Sequence, residues 1–416
     1  MRILYINTVD VAGGAAVVMQ RLMQGLHRKY QTENLLLVKD KQADDPYIKP
    51  VLTNRAAVLT EKAIDRVSRQ LGLLYQFFPF SSASILKAAT EFRPHVINLH
   101  NSHGGYFATP LLYRLSQVAP VVWTLHDMWS FTGNAAHTFG NTSWRTLQND
   151  RALTRIPPSI GINTGAYLLR QKKRIYQKSN LSIVTPSRWL YDLAVQSPVF
   201  AGKAIHHIYN GVETSIYNPE GKEAARRRLN LPAGEPVIIF MSHFLHKNNP
   251  WKGGADLLEI LRAMNRLATK KITLLMLGEG KLEELNELSN LNILYRGYVH
   301  GDAAVSECLR AADLFIYPTR ADNLPNVLVE AIACGTPCIT FDIGGNKEIV
   351  QHEVNGIVVK PFDIAGFAEA ATALLYNKTR LAAFAEQCTT IARNYFLLDD
   401  MIEKYYALFQ QVQKKQ

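Results

Sequence analysis

Short apolar runs alternate along the chain with longer stretches in which apolar positions recur every three to four residues. Ile3–Ile6, Leu35–Val38, Val96–Leu99, Val121–Leu125 and Ile183–Thr185 make a first series of runs. Ile205–Ile208, Val237–Met241, Ile272–Leu277, Ile293–Tyr295, Leu314–Tyr317 and Pro337–Thr340 make a second. A strand covered on both faces reads as continuous apolar residues, so strand-then-helix repeated many times predicts parallel sheets clothed by helices. Between Lys252 and Lys270, Leu257, Leu258, Ile260, Leu261, Met264 and Leu267 fall on one face at the 3.6-residue period, which predicts an amphipathic helix. The pattern restarts after Ser197-Pro198 and Ala201-Gly202. The expected fold class is therefore α/β, two Rossmann-like doubly wound parallel-sheet domains, residues 1–198 and 199–395, facing an inter-domain cleft. A last helical stretch, about Asp399–Val412 within residues 396–416, is expected to pack back on the first domain. Residues 134–163, rich in Asn, Thr, Ser and Gly, read as a long loop of the length that is usually functional or mobile.

The 416 residues, 47% hydrophobic and 19% charged, suffice for two cores and exclude a disordered or collagen-like chain. No apolar stretch approaches the length of a membrane-spanning helix, and Met1–Asn7 reads as a first strand rather than a signal peptide, so a cytoplasmic protein is expected. Charge is uneven: residues 1–200 carry 23 Lys and Arg against 11 Asp and Glu, whereas residues 201–416 carry 23 against 24. The excess, densest at Arg170, Lys172, Lys173, Arg174 and Lys178, suggests a solvated helix face or one that meets an anionic membrane surface. Nucleic acid is not expected, since no recognition motif accompanies the charge. The four cysteines, Cys308, Cys334, Cys338 and Cys388, lack a second ligand pair and read as buried packing rather than a zinc site.

The chemistry concentrates in Tyr317–Pro337. A strand ends near Pro318, a loop carries Asp322, and a helix opens near Pro325, a residue suited to the first helical position. The amides of Asn326, Val327 and Leu328 would then face a phosphate together with the helix dipole, with Asn323 as a competing cap and Leu324 a poor one. Glu330 lies within the first two turns, placed to accept ribose hydroxyls. Asp322 and Glu330, eight apart, with Gly335-Thr336-Pro337 and Gly344-Gly345-Asn346-Lys347-Glu348 following, resemble the acid-x7-Glu signature of the family 4 retaining glycosyltransferases, which have the GT-B fold.

The resemblance covers nearly the whole chain. It implies that Asp322 faces the donor sugar and that Glu330 binds the nucleotide ribose. Gly13-Gly14, opening a helix, resembles the loop that meets the donor phosphates or sugar, and Asn210-Gly211-Val212-Glu213 resembles the family's domain-junction segment. Leu277–Gly280 and Arg296-Gly297-Tyr298-Val299 resemble the strand ends that border the base. Trp123-Thr124-Leu125-His126-Asp127-Met128-Trp129 looks most like the branch that makes bacterial exopolysaccharides, including the colanic-acid type. There His126 implies a catalytic imidazole, and Asp127 and Trp129 lie on the acceptor side. Asp127 either orients His126 or touches the acceptor. The family's Gly-Arg pair is missing, so Lys252 becomes the phosphate cation, and the arginine's role passes to Lys247, to His243 or to nothing.

No Asp-x-Asp occurs, so no obligatory metal or other cofactor is expected, and Lys252 and helix N-termini would neutralise the diphosphate. The function implied is retaining transfer of a hexose from a nucleotide diphosphate sugar, UDP-linked first and GDP-linked second, to a hydroxyl of a lipid-linked oligosaccharide. A nucleotide-sugar epimerase and a non-catalytic sugar-nucleotide or glycan-binding protein remain as alternatives.

Overall fold

The computed structural model describes residues 1–246 and 251–414. The chain divides into two compact units, one formed by Met1–Tyr209 with Asp399–Gln416, the other by Asn210–Leu398.

The first unit is built on seven strands: β1 (Arg2–Val9), β2 (Glu33–Asp40), β3 (Ile48–Pro50), β4 (Val96–Leu99), β5 (Val121–Thr124), β6 (Leu181–Thr185) and β7 (Ala204–His207). Their order is β3-β2-β1-β4-β5-β6-β7, and every pairing is parallel. The chain winds one way from β1 and then the other, so the order reverses between β1 and β4, where the carboxyl ends of strands diverge and ligands bind in such sheets. Ile3, Leu4, Ile6, Ile97, Leu99, Val121 and Ile183 are buried at 0–1% exposure, as continuous apolar strands under helices must be.

The second unit has six: β8 (Val237–Phe244), β9 (Ile272–Glu279), β10 (Leu291–Tyr295), β11 (Leu314–Tyr317), β12 (Cys338–Phe341) and β13 (Gly356–Val359). Their order, β10-β9-β8-β11-β12-β13, is again parallel throughout and reverses between β8 and β11. The helix Gly254–Leu267 buries Leu257, Leu258, Ile260, Leu261 and Met264 as its period predicts, but Leu267, on its last turn, is 43% exposed.

Two expectations need correction, one on a strand and one on a lysine. Ile205–Ile208 does form a strand, β7, but it pairs with β6 and closes the first sheet instead of opening the second, so the first unit runs beyond residue 198 to Tyr209. Apolar pattern identifies a strand without naming its neighbour. Residues 134–163 are the long loop expected, with short 3-10 turns at Ser143–Thr146 and Arg151–Arg155 around a buried interior. The fully buried Asn134 amide donates to the Leu153, Ile156 and Pro158 carbonyls, and Trp144 packs on Phe131 at 5.2 Å. Finally, within the basic cluster Lys172 is buried, at 1% exposure. Its ammonium donates to the Trp129 and Thr132 carbonyls and stands 3.7 Å from the Trp129 ring centre, so it cannot serve a surface.

Most of the C-terminal helix Leu398–Gln413 lies in the first unit. Tyr406 stacks on Tyr30 at 3.7 Å, the Tyr405 hydroxyl bonds Thr124 Oγ1 at 2.9 Å, and Ile402 packs where a Cβ on Gly25 would sit. In the second unit the backbone of Val212 pairs with Phe396 and Leu398, and a Cβ on Gly211 would meet Leu398 Cα at 2.5 Å, so this approach requires glycine.

Candidate functional site

In the second unit the carboxyl end of β11 and the start of the helix Gly254–Leu267 bring three groups together. Lys252 Nζ lies 2.5 Å from Asp322 Oδ2 and donates to the Tyr317 hydroxyl at 2.8 Å, and that hydroxyl donates to Asp322 Oδ2 at 2.6 Å. Asp322 Oδ1 accepts the Asn323 amide. Burial alone would lower the Lys252 pKa, but the Asp322 charge and the two hydrogen bonds raise it above the usual lysine value, so the ammonium stays charged. Desolvation and Asp322 likewise push the Tyr317 hydroxyl up, keeping it a neutral donor.

The scaffold explains why these side chains meet. Gly253 has φ +65°, and a Cβ there would lie 2.0 Å from the Pro318 carbonyl, so only glycine lets the helix start this close to β11. The Trp251 carbonyl accepts from Thr319 Oγ1 and the Arg320 and Ala321 amides. Arg320 then forks onto Asp256 at 2.5 and 2.7 Å, tying the loop to the helix. On the other side Gly344, at φ +56°, packs where a Cβ would meet the Asp322 carbonyl, and the Gly345 amide donates to the Asn323 carbonyl.

The helix after this loop runs Asn326–Ala333 with Pro325 as its N-cap, one position earlier than the first helical place expected for it. Leu328 donates its amide to the Pro325 carbonyl, so the expected set of three ligand-facing amides loses that member, while Asn326 and Val327 remain on the first turn. Pro325 has no polar side chain to cap with, and Asn323 and Leu324 just before it are buried at 3% and 5%. The Asn326 side chain accepts from Asn210 at 2.9 Å, which joins the Asn210-Gly211 segment to this helix. Glu330 is buried in the second turn.

At the ends of β8, β9 and β10, Gly278 at φ +143° avoids a 2.0 Å clash with the Ser242 carbonyl and donates its amide to Gly297. Tyr298 then stands edge-on to His243 at 5.0 Å and beside His300 at 4.7 Å. Gly297, at φ +65°, faces open space. Lys247 lies outside the described residues.

In the first unit the strand ends β1, β4 and β5 carry the polar groups. Gly13, at φ +87°, caps the helix Gly14–Tyr30 with no side chain and with nothing within 4 Å of where its Cβ would be, and both glycines are exposed. His100 follows β4 and His126 follows β5. His100 Nδ1 is 2.9 Å from His126 Nε2, and His100 Nε2 is 2.9 Å from Asn98 Oδ1. Asp127 turns away from His126: its Oδ2 is 2.8 Å from His103 Nε2 and its Oδ1 accepts the Trp129 amide. The expectation that Asp127 orients His126 therefore fails, because the residue after a strand end points its side chain elsewhere.

Burial lowers His126 to about 4 against the opposing pull of Asp127, and burial with the neighbouring His126 drives His100 well below the usual histidine value. Burial would raise Asp127, but the charge and hydrogen bond of His103 hold it at about 2. His100, His103, His126, Asp127, Trp129 and Ser130 line a small, shallow pocket that is open to solvent. Trp129 itself is 2% exposed, packed on Trp123, Tyr75 and His103.

Sequence reading missed Tyr317, Asp256, Asn98, His100 and His103. A usable signal was present for His100 and His103, which follow the run Val96–Leu99 as His126 follows Val121–Leu125. The four cysteines are free thiols in the core, and no group of metal-ligating side chains occurs among the described residues.

Comparison with known proteins agrees with both halves. The family model for Glycosyltransferase Family 4 matches residues 12–216, and that for Glycosyl transferases group 1 matches residues 235–377. D-inositol 3-phosphate glycosyltransferase 1 of Catenulispora acidiphila is 30% identical over 192 residues, 44% of this chain and 46% of that protein, so the match spans about half of that relative's length. The putative colanic acid biosynthesis glycosyl transferase WcaC of Escherichia coli is 24% identical over 330 residues, 76% of each chain. Among solved structures, HepE of Anabaena in complex with UDP and glucose has a TM-score of 0.68 at 17% identity, covering 99% of this chain and all of that one. Two parallel Rossmann-like sheets in this arrangement of strands are the GT-B fold, and the chain belongs to the group 1, family 4 glycosyltransferases.

Proposed function

We propose that the protein is a retaining hexosyltransferase that needs no metal. Its donor would be a nucleotide diphosphate sugar, UDP-linked first and GDP-linked second, and its acceptor a hydroxyl of a lipid-linked oligosaccharide in surface polysaccharide synthesis. The observation that carries this reading is the Lys252–Tyr317–Asp322 cluster, a charged ammonium and a carboxylate held beside a helix start by Gly253 and Gly344.

In this reading Lys252 and the first-turn amides of Asn326 and Val327 take the diphosphate charge. Asp322 accepts sugar hydroxyls and Glu330 accepts ribose hydroxyls. Tyr298, Gly297 and Asn210 border the nucleotide, and Gly13 and Gly14 offer their backbone to the donor. The missing arginine's role falls to Lys247, to His243 or to nothing. His126 contacts the reacting sugar from the first unit, with Asp127 and Trp129 on the acceptor side. The acceptor hydroxyl oxygen bonds to the sugar C1 as the bond from C1 to the diphosphate oxygen breaks. The acceptor proton passes to that departing oxygen, and same-face attack retains configuration. Positioning and charge stabilisation do the work, without a covalent carboxylate intermediate. The colanic-acid name of WcaC and the UDP and glucose of HepE favour a UDP-sugar and an exopolysaccharide product.

The same reading places the protein at the inner face of the plasma membrane. No helix among the described residues is long and apolar enough to cross a membrane. The helix Arg55–Gln70 exposes Leu59 and Val67 beside Lys62 and Arg66, and Arg170, Arg174 and Lys178 are exposed on the helix Gly165–Lys178. Flotation with anionic vesicles should be strong at low salt and weak at high salt, and absence of binding at both would remove the membrane from the proposal.

The donor assignment is tested by thermal shift and calorimetry with UDP, GDP, ADP and their hexose and N-acetylhexosamine conjugates, with and without EDTA. Stabilisation by one series, unchanged by chelator, is the expected result. Silence across the panel would overturn the Lys252, Asp322 and Glu330 assignments.

A further inference from the structure

The polar chain behind His126 has only one consistent direction. Asn98 Nδ2 is 3.0 Å from the Val122 carbonyl oxygen and 3.3 Å from Thr124 Oγ1. A carbonyl oxygen can only accept, so the amide nitrogen of Asn98 must face it, and the Asn98 Oδ1 turned toward His100 is an acceptor. His100 Nε2, 2.9 Å from that oxygen, must therefore carry a proton. His100 is buried at 1% exposure and burial keeps it neutral, so its other nitrogen, Nδ1, is a lone pair. The atom facing that lone pair at 2.9 Å is His126 Nε2, which must then be the donor. A neutral His126 is left with an unprotonated Nδ1. That nitrogen has no partner among the described residues and is not sealed from solvent, and the His126 side chain lines the pocket with Asp127 and His103.

We propose that Asn98 and His100 are positioning residues that hold His126 as its Nε2-protonated tautomer, leaving Nδ1 as a standing acceptor for a substrate hydroxyl. The substrate half of this inference rests on the transfer reading above, whereas the tautomer half does not. The chain begins at the Val122 carbonyl of β5 and crosses to β4 through Asn98 and His100. It returns to His126 just beyond β5, so the paired strands that make the sheet also set the proton's position. His103 and Asp127 form a separate pair that also lines the pocket. The orientation matters because an unprotonated Nδ1 can accept a hydrogen bond from a substrate hydroxyl, whereas an N–H there could only donate to the hydroxyl oxygen.

The test uses the full chain labelled with ¹⁵N and ¹³C histidine at pH 7. Both His100 and His126 should report protonated Nε2, with a coupling across the hydrogen bond that places the shared proton on His126 Nε2. Finding it on His100 Nδ1, or finding either ring in the Nδ1-protonated form, would overturn the relay.

His100→Gln keeps an acceptor toward His126 and a donor toward Asn98, so it should preserve the His126 tautomer. His100→Leu should let the Nδ1-protonated form appear, and an unchanged tautomer in this variant would also overturn the relay. With UDP-glucose as the probe, turnover should fall about tenfold in His100→Leu and stay within about threefold of the parent in His100→Gln. Equal losses in the two variants, or none in either, would refute the role in transfer while leaving the tautomer result standing. Absence of turnover in the parent chain would count against the transfer reading alone.

Discussion

The Lys252–Asp322 pair sets up a competition that can be measured. The residue assigned to the diphosphate and the residue assigned to the sugar hold each other at 2.5 Å. At an effective dielectric of ~20, charges 2.5 Å apart attract by about 7 kcal/mol before desolvation is subtracted. With 36% of the Lys252 side chain and 18% of the Asp322 side chain exposed, the net coupling belongs between that of surface pairs and that of buried ones, at about 2 kcal/mol. Lys252→Met, Asp322→Asn and the double variant, unfolded in urea, should give an interaction energy of about that size, the double losing less than the sum of the singles. Calorimetry with UDP alone then separates the roles. Lys252→Met should weaken UDP, because the cation is gone. Asp322→Asn should leave UDP binding equal or several-fold tighter, because the ammonium no longer has a carboxylate to leave, while transfer from UDP-glucose is lost. Equal weakening of UDP by both single variants would refute the competition. Strictly additive stabilities would show that the pair does not form in solution.

Three further outcomes follow from burial and backbone geometry. Gly253→Ala puts a Cβ 2.0 Å from the Pro318 carbonyl at φ +65°, so urea unfolding should show a loss of about 2–4 kcal/mol, with weaker nucleotide binding as the helix start retreats from β11. Lys172→Met keeps the length of the side chain but removes the donor to the Thr132 carbonyl and one of the two donors to the Trp129 carbonyl, which keeps the Thr132 amide, and should cost about 2 kcal/mol by the same measurement without changing UDP affinity in the second unit. Acidification should destabilise the first unit between pH 6.5 and about 4. There the unfolded chain takes up protons that half-buried His126, at about 4, and buried His100, well below the usual histidine value, refuse, so stability falls as pH drops through this window. The His126 ring contributes about 2 kcal/mol between pH 7 and pH 5, and His126→Gln should flatten the pH dependence of the melting temperature by that share.

The strands were legible because a parallel sheet under helices demands continuous apolar residues, and Val96–Leu99 or Leu314–Tyr317 can hardly read otherwise. The acid spacing at Asp322 and Glu330 was legible because both lie on one strand, loop and helix, where local geometry follows from sequence distance. Pattern did not supply neighbours. β7 was visible as a strand, yet only its register with β6 assigns it to the first sheet. Asn98, His100 and His126 meet because β4 and β5 pair with Leu99 opposite Trp123, which brings together residues more than twenty apart in the chain. Lys252 and Asp322 meet because two glycines with positive φ let backbones approach, a condition that Gly253 and Gly344 advertise only once the facing carbonyls of Pro318 and Asp322 are known. The general reason is that a polar side chain one or two residues past a strand reports its own position, while its chemistry depends on the residue past the adjacent strand. In doubly wound sheets the candidates for such partners are few, since adjacency at the point where strand order reverses confines them to the ends of β1, β4 and β5 in one unit and of β8 and β11 in the other. Reading a chain of this class for histidines and carboxylates at every strand end, before asking which motif they belong to, would have placed His100 and His103 beside His126 from the outset.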